Sequence, residues 1–377
     1  MAKGQGNRSL SPLYLHTDTL TASQFISNMA TSLPQGAPHL VSTKRHDLYD
    51  AISPTSALKN AADGLSVLVT GSGRGVGRAE ALAFAQAGAK KVVLTSRSRT
   101  ELDETKELID KETAGGDCEV IVCEADLCDP DSVEKLFEAA GPVDVLVNNA
   151  GYLEPCVPIR DSNPSDWKRT LDVNHYGTYL PTRAFLRAAH ARSQGNASEL
   201  AGKLTVINTS STGSMGTRPG FSCYQPQVAL QNRLDWHARG SDQVLTVACT
   251  TRSKSFINRF TEFIHFEEPD VRTFAMHPGG VMTKLARDSM PLDTHSFLTD
   301  TPELAAGFAV WLATSKESDF LRGRYVSATW DVTELLGKRD EILEKDLLWT
   351  RVVGQEQASL QRAHIRAPTE CLCESGR

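Results

Sequence analysis

Short apolar runs alternate along this chain with longer segments of helical period. Ser66–Val69, Lys91–Ser96, Glu119–Cys123, Val143–Val147, Lys203–Thr209, Val271–Met276 and Gly323–Ser327 read as strands, apolar at successive positions as buried strands are. Between them Arg78–Ala85, Ser98–Ala114, Asp129–Ala140, Ser165–Arg192 and Thr301–Thr314 read as helices. Asp129-Pro130 and Pro302 are start signals, and Leu102, Leu108 and Ile109 give the second helix an inward face. The alternation predicts an α/β chain with a single doubly wound, parallel, seven-stranded sheet and right-handed crossovers.

The pattern fades at both ends. Residues 1–60, rich in Ser, Thr and Pro, read as a mostly irregular extension, disordered or wrapped on the domain. A targeting segment is the alternative, but only Lys3 and Arg8 are basic in the first forty positions. The domain itself is expected over 61–353, with a disordered tail at 354–377.

Composition removes several classes of function. The net charge over 377 residues is −6, without a basic stripe interleaved with aromatics, so no nucleic-acid partner is expected. No apolar run reaches the roughly 18–20 residues of a membrane span, so no membrane partner is expected either. The eight cysteines show no C-x-x-C or Cys/His ligand spacing, which predicts no metal and a reduced, cytoplasmic protein.

Candidate chemistry begins at Thr70–Gly77, TGSGRGVG, between the first strand and the first helix. Glycines there let a backbone approach a pyrophosphate, and the helix aims its positive end at the anion. The spacing differs from G-x-G-x-x-G. Further along come Asp126 in EADL, NNAG at 148–151, Asn174 in LDVNHYG, Ser210-Ser211 after VINT, Tyr224, and HPGGVMT at 277–283. This ordered set resembles the short-chain dehydrogenase/reductase family over about Ser66–Val352. The resemblance implies a Rossmann fold and an NAD(P)-dependent oxidoreductase that moves a hydride between nicotinamide and a secondary alcohol or ketone.

It also implies roles. Gly71, Ser72, Arg74, Gly75, Val76 and Gly77 match the family's pyrophosphate turn. Asp126 and Leu127 match adenine contacts. Asn149, Ala150 and Gly151 match the segment lining the cofactor, and Asn148 the asparagine that steadies the sheet. Pro278, Gly279, Val281 and Thr283 match the loop beside the carboxamide. Tyr224 resembles the acid/base tyrosine, Ser211 the residue that stabilises the substrate oxygen, with Ser210 as fallback, and Asn174 the anchor of a water relay. For the cofactor, the second strand ends in Ser96-Arg97 with no acid, where NAD sites place a carboxylate. Arg97 and Arg74 could pair with a 2′-phosphate, so NADP is expected rather than NAD; the alternative is that both are solvated charges.

One position breaks the pattern. The family places a lysine four residues after the tyrosine, to lower its pKa and bind ribose; here Val228 stands there. Residues 227–252 lack a helical period, and a lysine, Lys254, follows them. The segment reads as an insertion, either a real one or a retained intron, after which the helix resumes with Phe256, Phe260 and Phe263 on its inner side. Two outcomes stay open: Lys254 reaches Tyr224 and the enzyme works, or the chain is a catalytically impaired dinucleotide-binding protein. That helix and 165–192 form the family's usual subunit contact, so the insertion also puts a homo-oligomer in doubt.

Overall fold

The computed structural model describes residues 40–113, 116–193, 202–215, 222–223 and 253–351. Tyr224, Val228, the segment 227–252, the tail from 354 and residues 1–39 of the extension lie outside them.

Seven strands form one sheet: β1 (Ser66–Thr70), β2 (Lys91–Ser96), β3 (Glu119–Glu124), β4 (Val145–Asn148), β5 (Leu204–Thr209), β6 (Val271–His277) and β7 (Tyr325–Ser327). Their order is β3-β2-β1-β4-β5-β6-β7, and every neighbouring pair is parallel. The doubly wound expectation therefore holds. All five residues of β1 are buried, as helices on both faces require. β3 differs from the buried strand expected, because it ends the sheet and its residues are part-exposed.

The first two helices are α1 (Gly75–Gln86) and α2 (Arg99–Glu112), and α3 is Pro130–Ala140, where the Asp129 carboxylate accepts from the Asp131 and Ser132 N–H groups. On α2 the buried positions are Leu102, Thr105 and Ile109, not Leu108. The expected long helix 165–192 is α4 (Pro164–Leu171) and α5 (Gly177–Arg192), joined by a π-helical turn at Asp172–Tyr176. Such a turn adds a residue to the helix and often marks a functional site. Next come α6 (Ser253–Glu267), α7 (Lys284–Ser289) and α8 (Pro302–Thr314), then the short α9 (Val332–Gly337) and α10 (Arg339–Glu344). No described helix is long and apolar enough to cross a membrane.

Apolar side chains fill both faces of the sheet. Phe84, Leu94, Leu102, Phe274 and Phe308 pack in one cluster, and Leu68, Leu136, Leu146, Phe185 and Val206 in the other. Each fully buried side chain of this kind contributes about 1.5–3 kcal/mol.

Residues 40–60 are more than an irregular extension. Val41, Ile52 and Leu58 are buried in the first cluster. Ser42 and Thr43 bind the Glu334 carboxylate, and Arg45 pairs with Asp331 at 2.7 Å. The strap has no helical or strand period because single side chains, not a continuous face, make these contacts.

One side chain on α1 opposes the packing. Glu80 is fully buried, and neither carboxylate oxygen has a hydrogen-bond partner. Burial pushes its carboxyl up to about 8, so it is protonated at neutral pH. A folded pKa raised above the unfolded one stabilises below the unfolded value and loses that contribution as pH rises through the folded value. Glu80→Met should therefore raise stability, by roughly 1–3 kcal/mol at pH 8 and by less at pH 5. Urea unfolding at the two pH values checks this; a gain independent of pH contradicts it.

Candidate active site

The strand order reverses between β1 and β4, and at the carboxyl ends there a cleft of about 970 Å³ opens. Gly71, Gly73, Arg74, Gly75 and Val76 line its floor. Gly75 has φ +58°, the turn that sends the chain into α1. A Cβ on Gly77 would lie 2.5 Å from the Gly71 carbonyl oxygen, so only glycine lets the helix start this close to the turn. No side chain caps α1, which leaves its first N–H groups for an anion. An uncapped helix, a glycine cradle and an elongated cleft fit a dinucleotide.

Two of the expected turn residues do not line the cleft. Gly77 packs behind the turn, and Ser72 is buried, its hydroxyl accepting from the Thr95 N–H at 2.9 Å. Ser72 thus staples the turn to β2. Asn149, which lines the cleft, does similar work. Its amide donates to the Thr70 and Gly71 carbonyls at 3.0 and 3.3 Å, tying the end of β4 to the glycine turn. Ala150, Gly151, Asp126 and Leu127 line the cleft.

The far end carries an acid that the strand pattern did not reveal. Arg97, Ser96 and Ser98 line the cleft, and so does Glu101, whose carboxylate pairs with Arg74 at 2.7 Å. Ser98 caps α2 and accepts from the Glu101 N–H, which sets that first turn against the cleft. The Ser98-x-x-Glu101 spacing is a capping-box signature and was the available signal. Among the described residues, Arg97 makes no ion pair.

At the other end, Lys254, Ser210, Ser211, His277, Pro278, Gly279, Val281 and Thr283 line the cleft together. The Lys254 ammonium donates to the Thr209 carbonyl at 2.6 Å. Burial lowers its pKa to about 8. Ser211 accepts from the Gly213 N–H at 3.0 Å, which leaves its O–H to donate into the cleft. Ser210 instead donates to Asn258 at 2.6 Å, so the fallback residue is committed to structure. Asn174 sits on the π-helical turn and does not line the cleft. Its amide is bound in both directions to the Tyr152 backbone at 2.8 Å, which fixes the loop after β4. His277, which sequence reasoning passed over, is buried, and desolvation holds its pKa near 4, so it is neutral.

α6 reaches this place through a polar inner face. Lys254, Ile257, Asn258, Thr261 and Ile264 are buried; Phe256 and Phe260 are half-buried and Phe263 is exposed. The expectation of a phenylalanine inner face is thus corrected. Phe256 and Phe260 lie on the flank toward α5 and the π-helical turn before it, where Phe256 stacks on His175 and Phe260 meets Tyr179 edge-on. The inner positions bond to the sheet: Asn148 donates to Asn208, and Asn208 donates to Thr261.

A family model described as short chain dehydrogenase matches residues 66–226. A short chain dehydrogenase of Monascus purpureus is 37% identical over 320 residues, covering 83% of this chain and 96% of that protein. The chain belongs to the short chain dehydrogenase family. It is therefore a Rossmann-fold member of a family of NAD(P)-binding oxidoreductases. A 3-oxoacyl-[acyl-carrier protein] reductase of Brucella melitensis with bound NAD is 26% identical, with a TM-score of 0.55 over 74% of this chain and 94% of that one. A short chain dehydrogenase of Shigella flexneri complexed with NADP is 22% identical and shares the fold, with a TM-score of 0.56 over 72% of this chain and 99% of that one.

The family match ends at Pro226, and α6 begins at Ser253. Joining those two residues gives Tyr224-Gln225-Pro226-Ser253-Lys254, with the lysine four residues after the tyrosine. In the chain itself the 26 residues 227–252 lie between Pro226 and Ser253.

The lysine itself offers a direct measurement. In the ligand-free protein one lysine ε-carbon should titrate near pH 8 by NMR, and Lys254→Met should remove that signal. A folded pKa below the unfolded one also means that stability rises with pH between about 8 and 10.5 as the ammonium deprotonates. A Lys254 signal titrating with the bulk lysines would overturn both statements.

Proposed function

We propose that the folded unit is an NADP-preferring oxidoreductase of a ketone or secondary alcohol, with Ser211, Tyr224 and Lys254 at its chemical step. The observation that carries this reading is Lys254, which is buried, lines the same cleft as Ser211 and binds the Thr209 carbonyl two residues before it. Bound NADPH would supply the hydride. Tyr224 then gives its phenolic proton to the carbonyl oxygen. Ser211 donates a hydrogen bond to that oxygen as negative charge builds. Lys254, still mostly protonated at neutral pH with a pKa near 8, favours the phenolate and so lowers the tyrosine pKa. Asn174 acts by holding the loop at Tyr152 in place. No described group of His, Cys, Asp and Glu could hold a metal, and none of these steps calls for one.

A second reading has its own observation. Val228 occupies the fourth position after Tyr224 in this chain, and valine cannot shift a phenol. On that reading the protein binds the dinucleotide without turnover. The location of 227–252 at the end of the family match supports an inserted segment, as an unspliced intron would leave.

NADP preference rests on Arg97. Glu101 engages Arg74, so Arg97 is the cation left to meet a 2′-phosphate, whereas Glu101 could accept from the 2′-hydroxyl of NAD. We also assign a second copy of this chain to the α5/α6 face, where Tyr176, Tyr179, Phe263 and Phe266 are exposed together. Among the described residues Cys118, Cys123, Cys128 and Cys223 form no disulfide, which suits a reduced, cytoplasmic setting.

A chain lacking 227–252 should reduce ketones with NADPH and sediment as a dimer, while the full chain is expected to be at least about 100-fold slower. Equal activity of the two chains excludes the insertion as the defect, and binding without turnover in both supports the second reading. Arg97→Ala should weaken NADPH binding by roughly 10–100-fold and NADH binding by less than about threefold. Fluorescence titration of the two nucleotides measures this, and equal losses would refute the preference.

A further inference from the structure

Residues 280–300 form the segment that runs from β6 to α8 along the cleft, with Met290, Thr294, Phe297 and Leu298 on its lining; we read it as the covering segment of the proposed site. Its two ends meet at Asp300. The Asp300 carboxylate accepts from the Gly280 N–H at 2.5 Å, and the Asp300 N–H donates to the Gly280 carbonyl at 2.9 Å. Val281 and Asp300 form a parallel bridge. A Cβ on Gly279 would lie 2.7 Å from that carboxylate, so Asp300 sits directly against the Pro278–Val281 turn.

The other carboxylate oxygen belongs to the strap. His46 Nδ1 donates to Asp300 Oδ1 at 2.5 Å. On either side of this bond, the Thr301 N–H donates to the His46 carbonyl at 2.9 Å and the Thr301 hydroxyl donates to Asp47 at 2.7 Å. Three successive strap and loop contacts therefore fall on the joint where the covering segment closes. Asp300 is nearly buried while the His46 ring is largely exposed, so the histidine's role at this joint is to hold the carboxylate, not to fill space.

We propose that His46 and Asp300 are positioning residues: the pair clamps the base of the covering segment 280–300 and sets the turn Pro278–Val281 for the dinucleotide. The N-terminal strap is then part of the binding machinery. The clamp has two consequences. A loose base lets the covering segment fray, because closing a twenty-residue loop has to be sustained by the contacts at its ends. It also lets Gly279 and Gly280 leave the cleft wall, which weakens nucleotide binding. This deepens the proposed function, since it names what holds the dinucleotide turn of the same site.

Hydrogen exchange on the full ligand-free chain tests the clamp without any cofactor. His46→Ala should speed exchange of the amides within 280–300 by about tenfold, with β1 and β4 unchanged. Asp300→Ala should do the same and also expose the Gly280 amide. Arg45→Ala, which removes a strap contact away from this joint, should leave 280–300 unchanged. His46→Gln, which keeps a donor, should restore most of the protection. Fluorescence titration with NADPH adds a second readout, with an expected fivefold to tenfold weaker Kd for His46→Ala. Unchanged exchange of 280–300 in His46→Ala, or a uniform rise across the whole chain, overturns the clamp. Local protection lost in a chain that binds no NADPH would sustain the clamp and sink the oxidoreductase reading.

Discussion

The Lys254 end of the cleft depends on buried hydrogen bonds between the inner face of α6 and the carboxyl end of β5. A helix docked by apolar packing alone can rotate or slide by small amounts without losing much. A helix whose buried side is Lys254, Asn258 and Thr261 cannot, because each displaced group would lie unpaired away from water. Asn258 binds Ser210 and Ser214, Thr261 receives Asn208, and Lys254 reaches the Thr209 carbonyl. The register of α6 is thereby fixed from its first turn. That is why Lys254 can occupy its place at the Thr209 carbonyl although 26 residues come between Pro226 and Ser253 in the chain.

The opposite end of the cleft works by charge. The glycine turn and the uncapped start of α1 attract an anion whichever nucleotide brings it. On the proposed reading, discrimination between the two nucleotides falls to Arg74, Arg97 and Glu101 around the end of β2. Because Glu101 lies on the first turn of α2, it neutralises one arginine and leaves the other. The balance is among side chains at least partly exposed, so it is open to salt and to single substitutions in a way that the α6 docking is not.

Between the two ends, the loops after β4 and β6 are held by side-chain hydrogen bonds to their backbones. Asn174 holds Tyr152, Ser289 donates to the Leu153 carbonyl, and Asp300 closes the segment after β6. The wall of the cleft is thus a set of loops whose conformations are fixed from behind, including from a strap more than 250 residues away in sequence.

The sequence by itself determined the doubly wound sheet, because parallel strands buried on both faces must be apolar runs and crossovers must be helices. It also determined most of the cleft floor, since the glycine turn at 70–77, NNAG and HPGG are local signals whose backbone requirements do not depend on distant partners. Only the tertiary structure decided which face of α6 is inner. The aromatic stripe of Phe256, Phe260 and Phe263 suggested one face, and the buried polar ladder from Asn208 selected another. It decided likewise that Glu101 meets Arg74 and that His46 meets Asp300, pairings between segments 27 and 254 residues apart with no trace in periodicity. A period records how often a residue faces the core. Which polar group it meets there depends on folding distant segments together.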